Sequence, residues 1–295
     1  MDYVILFGIK IPVNNIAFTV PGTQFHIYWY GIIIAVGFVL ALVWGMRKAE
    51  SHGIDKDKLI DVVLVGFITA IIGARAYYII FSDMVITSWK QVFAIHDGGI
   101  AIYGAVIGAL LGGGIMCKIR KVNLLAMFDL AMPGFLIGQC IGRWGNFVNQ
   151  EAYGDATGSS WFGMTGSRIA REMGPNVLVH PCFLYESLWC LACFILLWQI
   201  GRRRKFDGQI FCLYLITYSI GRFFIEGLRT DSLYIDLVFA ELRVSQVLAA
   251  LLVIGGTVLY FVLREAERRS HYKEYVNLFD EDTVSEEAAA NGSDN

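Results

Sequence analysis

The chain has 295 residues, 56% of them hydrophobic and only 17% charged, with a formal net charge of −2 at pH 7 and a mean hydropathy of +0.55. Such a composition leaves too little polar surface for a soluble domain and points to a bilayer. No nucleic-acid partner is expected from it.

Crossing a hydrocarbon core of about 30 Å takes about 20 mostly apolar residues. Segment 1–27 carries a single lysine, Lys10, with no basic stretch ahead of an apolar one, so it reads as an extracytoplasmic interfacial segment, not a cleavable signal peptide. Seven apolar runs follow, at 28–46, 59–81, 99–117, 124–141, 182–200, 210–228 and 244–263. They predict an all-α integral membrane protein with seven transmembrane helices and a membrane domain over 28–263.

Charge sets the expected orientation. Arg47, Lys48, Lys56 and Lys58 lie between the first two spans, and Lys118, Arg120 and Lys121 between the third and fourth. Arg202, Arg203, Arg204 and Lys205 follow the fifth, and Arg264, Arg268, Arg269 and Lys273 the seventh. Basic loops stay in the cytoplasm, so the N-terminus is expected outside and the C-terminus inside. The long connection 145–180, with Trp161, Arg168 and Arg171, then forms a small extracytoplasmic head between spans four and five. The tail 264–295 is cytoplasmic, and its acidic, small-residue composition after residue 275 predicts a solvated, disordered chain.

The six cysteines all fall in or at the ends of spans, and the Cys190, Cys193 pair reads as helix packing. The histidines are scattered, without metal-ligand spacing, so neither a metal nor another cofactor is expected.

Ionisable residues inside a membrane are expensive, which makes their depth informative. Counting along each span places Arg75, Arg143, Glu186, Arg222, Glu226 and Arg229, with Tyr30 and Tyr103, at one level toward the outer leaflet. Tyr218, Arg222, Glu226 and Arg229 fall on one face of span six, within an arc of roughly 80°. Four arginines against two glutamates leave positive charge that packing does not require, and the arginine fork matches phosphate oxygens. An outward-facing site for a phospholipid headgroup follows. Gly104, Gly108 and Gly112 form a small-residue ridge suited to close helix contact. Gly98 and Gly99, at the entry to span three, are candidates to offer backbone N–H groups to a phosphate.

The densest polar stretch is GRWGNFVNQEAYG, Gly142 to Gly154. It resembles the signature segment of the prolipoprotein diacylglyceryl transferases. HIYWYGI (26–32), HDGGIAIYG (96–104), HPCFLYES (180–187) and YSIGRFFIEGLR (218–229) resemble further family segments in order and spacing. Phe183 stands where the family's HPxQxYE stretch has glutamine.

The resemblance implies a bacterial plasma-membrane enzyme that moves a diacylglyceryl group from phosphatidylglycerol to the lipobox cysteine of a prelipoprotein. Its partners are those two substrates and the bilayer. It implies that Arg143 and Arg222 are the essential arginines, Arg143 on the lipid phosphate, and that Asn146 and Gly154 are signature positions. Tyr30, Glu186, Tyr218, Glu226 and Arg229 match residues lining the family's site, and Gly98, Gly99, Gly104 and Arg75 are added as candidate substrate-binding positions. Where some members carry a histidine base, this sequence has Tyr103. A phenol with a pKa of about 10 is a poor base at neutral pH. Catalytic candidates are thus Arg143, Arg222, Tyr103 and Glu226. A transporter would show internal repeats and a polar route to both sides, and a metal-dependent headgroup transferase would show clustered aspartates. Neither pattern is present.

Overall fold

The computed structural model describes residues 2–22, 25–82, 88, 91–92, 99–237 and 240–291, with side chains described up to 234 and over 243–270. The helices are α1 (Trp29–Lys48), α2 (Lys56–Phe81), α3 (Ile102–Arg120), α4 (Leu124–Asn149), α5 (Ser167–Met173), α6 (Cys182–Gly201), α7 (Gln209–Glu226) and α8 (Val244–Asn291). Among the described residues, six of these are long and apolar enough to cross a membrane: α1, α2, α3, α4, α6 and α8 over Val244–Ser270. Their apolar side chains point outward, as with Ile72 at 61% exposed and Ile254 at 62%, an arrangement stable only against lipid. The expected seventh, α7, is 18 residues long but carries Gln209, Arg222 and Glu226, and it is not among the six. Beyond Ser270, α8 continues as backbone helix over the acidic stretch that composition assigns to a solvated tail.

Local chemistry fixes the helix boundaries. Asp55 accepts from the N–H groups of Asp57 at 2.8 Å and Lys58 at 3.3 Å, capping α2. Asn123 caps α4 in the same way through Leu125 at 2.9 Å. Pro133 lies within α4, which continues past it to Asn149.

The chain divides into two compact units, one of 16–145 and one of 1–15 with 146–295. In the first, α2 and α3 pack backbone to backbone. A Cβ at Gly104 would collide with the Gly73 carbonyl, and one at Gly108 with the Thr69 carbonyl, so the ridge needs glycine for this approach. Ala49, Ile54, Leu59, Cys117, Ala126 and Leu130 form a buried cluster at one end of these helices.

The second unit contains β-structure that the all-α expectation did not include. β1 (Asp2–Leu6) and β2 (Ile9–Val13) form a hairpin whose two-residue turn, Phe7 at φ 50° and Gly8 at φ 83°, has the twist such hairpins require. β1 also pairs antiparallel with β5 (Met164–Gly166), giving the order β2-β1-β5. Val4, Phe147, Tyr153, Met164, Ile169, Val179 and Phe183 close one core beneath it. Residues 2–13 therefore share a sheet and a core with residues 147–183, while the sequence reading set 1–27 apart as an interfacial segment. Two further pairs, β3 (Ile16–Thr19) with β4 (His26–Tyr28) and β6 (Tyr234–Leu237) with β7 (Ala240–Arg243), precede α1 and α8.

Candidate active site

Four of the predicted site residues meet in the second unit. Arg222, four residues from Glu226 on α7, places one guanidinium nitrogen on Glu186 of α6 and another on Glu226, the latter at 2.5 Å. The carboxylates are almost fully enclosed, with side chains 4% and 2% exposed, while Arg222 keeps 21%. Arg229 lies 3.5 Å from Glu186 and 3.9 Å from Glu226. Helix α7 ends at Glu226, so the stripe expected to continue along one face instead leaves the helix. Arg229 stays within reach because the next turn keeps its N–H on the Glu226 carbonyl at 3.2 Å. Tyr218, one turn before Arg222, stacks on Tyr214 with ring centroids 5.5 Å apart.

The expected surplus counted Arg75 and Arg143, which lie in the first unit; within the second, a further carboxylate joins the cluster. Asp231 grips Arg229 through Nε at 2.9 Å and Nη2 at 2.7 Å, so here two arginines face three carboxylates. Asp231 lies past the predicted span and was not read as a site residue. Arg243 was also missed, and it donates to the backbone carbonyl of Glu226 at the end of α7. Both contacts arise where the chain turns back, a place no helical spacing reports.

The signature stretch supplies the next layer. Asn146 donates to Glu151 at 2.9 Å. Gly154 forms a bridge with Arg229, and a Cβ there would sit 2.6 Å from the Leu228 carbonyl oxygen and 2.9 Å from the His180 Cβ. Only glycine lets these backbones approach so closely. His180 accepts the Gly154 N–H on its carbonyl at 2.9 Å, and its ring lies 3.2 Å from the Tyr185 hydroxyl. A cavity of about 590 Å³ opens beside the cluster, lined by Asn146, Glu151, Tyr153, Arg168, Arg229 and Asp231 among others. At its rim the Tyr153 hydroxyl donates to Glu172, which also holds Arg168 at 3.1 Å. Burial, together with the Glu172 carboxylate, pushes the Tyr153 phenol up to about 12. The Tyr153 hydroxyl, then Arg168, hold the Glu172 carboxyl below the ordinary glutamate value.

The remaining candidates lie in the first unit. Tyr30 of α1 packs its ring over Gly145, where a Cβ would meet the ring carbons, so the entry of span one and the signature stretch share a contact. Arg143 is half-buried two turns before the end of α4. Arg75, 7% exposed, donates Nε to the Val92 carbonyl at 3.0 Å, Nη1 to the Gly99 carbonyl at 2.8 Å and Nη2 to the Gln91 carbonyl. These donors tie the backbone at Gln91, Val92 and Gly99 to α2. Gly99, at φ 73°, precedes that helix by three residues and turns its carbonyl toward Arg75. Tyr103, 41% exposed in the first turn of α3, has its ring 6.3 Å from that of Tyr77. Gly104 makes the α2 contact described above. Gly98 lies outside the described residues, as does His96.

The family model for prolipoprotein diacylglyceryl transferase matches residues 15–262. A phosphatidylglycerol–prolipoprotein diacylglyceryl transferase of Oceanobacillus iheyensis is 42% identical over 261 residues, covering 86% of this chain and 89% of the relative. One from Clostridioides difficile is 38% identical, covering 87% and 98%. Another from Clostridium perfringens is 40% identical, covering 90% and 100%. The chain belongs to the prolipoprotein diacylglyceryl transferase family.

Proposed function

We propose that this chain transfers the diacylglyceryl group of phosphatidylglycerol to the lipobox cysteine of prelipoproteins, the first step of lipoprotein maturation. The thiolate attacks the glyceryl carbon bonded to the phosphate oxygen, a thioether forms, and glycerol 1-phosphate leaves. The observation that carries the reading is the enclosed Arg222, Glu186, Glu226, Arg229 cluster around the end of α7, in a chain of a family whose name states the reaction. A purely structural membrane protein has no need to bury so many charges at one place.

In this reading, the chain is a bacterial plasma-membrane protein whose site faces the outer leaflet. Helix α7 is a seventh crossing, since 18 residues at 1.5 Å rise span about 27 Å. It is more polar than its neighbours because it carries the site. Positive connections place the N-terminus and the 145–180 head outside and the C-terminus inside.

Arg143 and Arg222 bind the phosphate. A guanidinium carries five N–H donors, so two carboxylate contacts on Arg222 leave donors for phosphate oxygens. Glu186 and Glu226 hold the fork in place before substrate arrives, and the arginines neutralise charge that grows on the leaving phosphate as the C–O bond breaks. Cationic side chains beside the attacking thiol also favour its thiolate. Tyr103 orients the headgroup or the thiol by hydrogen bonding. Asn146, Gly154, Tyr30, Tyr218, Arg229, Gly98, Gly99 and Gly104 line or shape the lipid site, and Arg75 supports it through the Gly99 carbonyl.

The test is transfer from phosphatidylglycerol to a lipobox peptide, scored as thioether-linked diacylglycerol. Arg143→Ala and Arg222→Ala should each lower kcat/KM by about a hundredfold or more. Full activity in either overturns the phosphate clamp, and a Tyr103→Phe variant at full rate removes that hydroxyl from the chemistry.

A further inference from the structure

A second cavity, of about 740 Å³, lies between the turn joining α6 to α7 and the far part of α8. Its floor is aromatic. Phe206, 6% exposed, meets Tyr260 edge to face at 5.4 Å, and Phe261 stands against Tyr260 at 5.7 Å. Its rim carries Lys205, Arg264 and Arg268, all exposed. Tyr260, Arg264 and Arg268 are spaced four apart on α8 and therefore share a face. The buried Gln209 accepts the Lys205 N–H at 2.8 Å, which fixes the turn that presents the lysine. Two carboxylates, Glu265 and Glu267, also line the cavity, and Arg269 engages Glu265 at 3.2 Å.

On α7, Gln209 and Arg222 stand thirteen residues apart, about 20 Å along the axis. The cavity is thus at the other end of the membrane helices from the transfer site. It also sits where α8 passes from apolar to charged residues, the level of lipid headgroups. Aromatic walls below and a fork of cations above match an amphiphile with a phosphate at its head. A small soluble anion has no use for the aromatic floor. We propose that this cavity binds the phosphate of an anionic phospholipid, in the leaflet opposite the one that supplies the reaction. Bridged by Lys205 on one side and Arg264 and Arg268 on the other, the lipid holds α8 to the α6–α7 turn.

The full chain in phosphatidylcholine nanodiscs would be photolabelled with phosphatidic acid bearing a diazirine in its acyl chain. Labelled peptides should contain Phe206 or Tyr260 and Phe261. Apparent affinity should fall about fivefold for each cation removed in the series Arg268→Gln, Arg264→Gln and Lys205→Gln. Glu265→Lys should raise it by a similar factor, a gain that misfolding does not produce. Three results overturn the proposal: equal labelling by a phosphatidylcholine probe, labelling indifferent to all four substitutions, or loss of labelling to an equal concentration of inorganic phosphate, which would assign the cavity to a soluble anion.

Discussion

Arg222 is held between two carboxylates that bulk water does not reach, so each partner makes the other's burial tolerable. Removing one member of such a pair is costlier than the pair is worth, because the survivor keeps its desolvation penalty. Glu226→Gln should therefore lower stability by about 3–5 kcal/mol, read as thermal unfolding in nanodiscs. Arg222→Lys should show the converse pattern, since it keeps the charge and loses the fork, with transfer falling far more than stability. Beside the cavity, the Tyr153 and Glu172 pair sets a pH dependence whose sign follows from each group's shift. A glutamate depressed in the folded state stabilises above its unfolded value and loses that contribution as pH falls through the folded one. The unfolding-temperature advantage of wild type over Glu172→Gln, present at neutral pH, should vanish as pH drops below 4.5, the ordinary glutamate value. Tyr153 runs the other way, contributing up to pH 10 and losing its share toward about 12. Of this site, the sequence made Glu186, Arg222, Glu226 and Arg229 legible because charged residues in apolar helices have few innocent uses. Asp231 and Arg243 carried no such signal, being ordinary charges in polar connections.

Helix contacts sort the glycines by what surrounds them. Gly108 faces the Thr69 carbonyl of α2, whereas Gly114, on the same helix, has nothing within 4 Å of where a Cβ would stand. Gly108→Ala should cost about 1–3 kcal/mol through forced separation of α2 and α3, while Gly114→Ala should be neutral or slightly stabilising in the same melting assay. That ridge could be read from spacing alone, since every fourth residue repeats on one helical face. The β-strands could not. Asp2–Leu6 is short, and its second partner, Met164–Gly166, is remote in sequence, so no local period announces the pairing. Helix α7 is the intermediate case. Its apolar run identified it, and its last turn was overextended because Leu228 continues the run after the helix has ended at Glu226.

For the whole molecule, the alternation of basic connections makes orientation testable without reference to activity. Single cysteines at Lys10 and Arg268, in a background with the native cysteines replaced, should react with a membrane-impermeant maleimide from opposite sides of intact cells. Labelling of Lys10→Cys before lysis and of Arg268→Cys only after it is the expected result, and the reverse overturns the topology. Assembly order adds a constraint that a finished structure conceals. Strand β1 shares its sheet with residues 164–166, and at about 5–20 residues per second synthesis delivers those roughly 10–30 s after it. Throughout that interval the hairpin has one edge open to other unpaired strands. The hairpin is thus a latch held open until residues 164–166 have been made, and closing it completes the sheet.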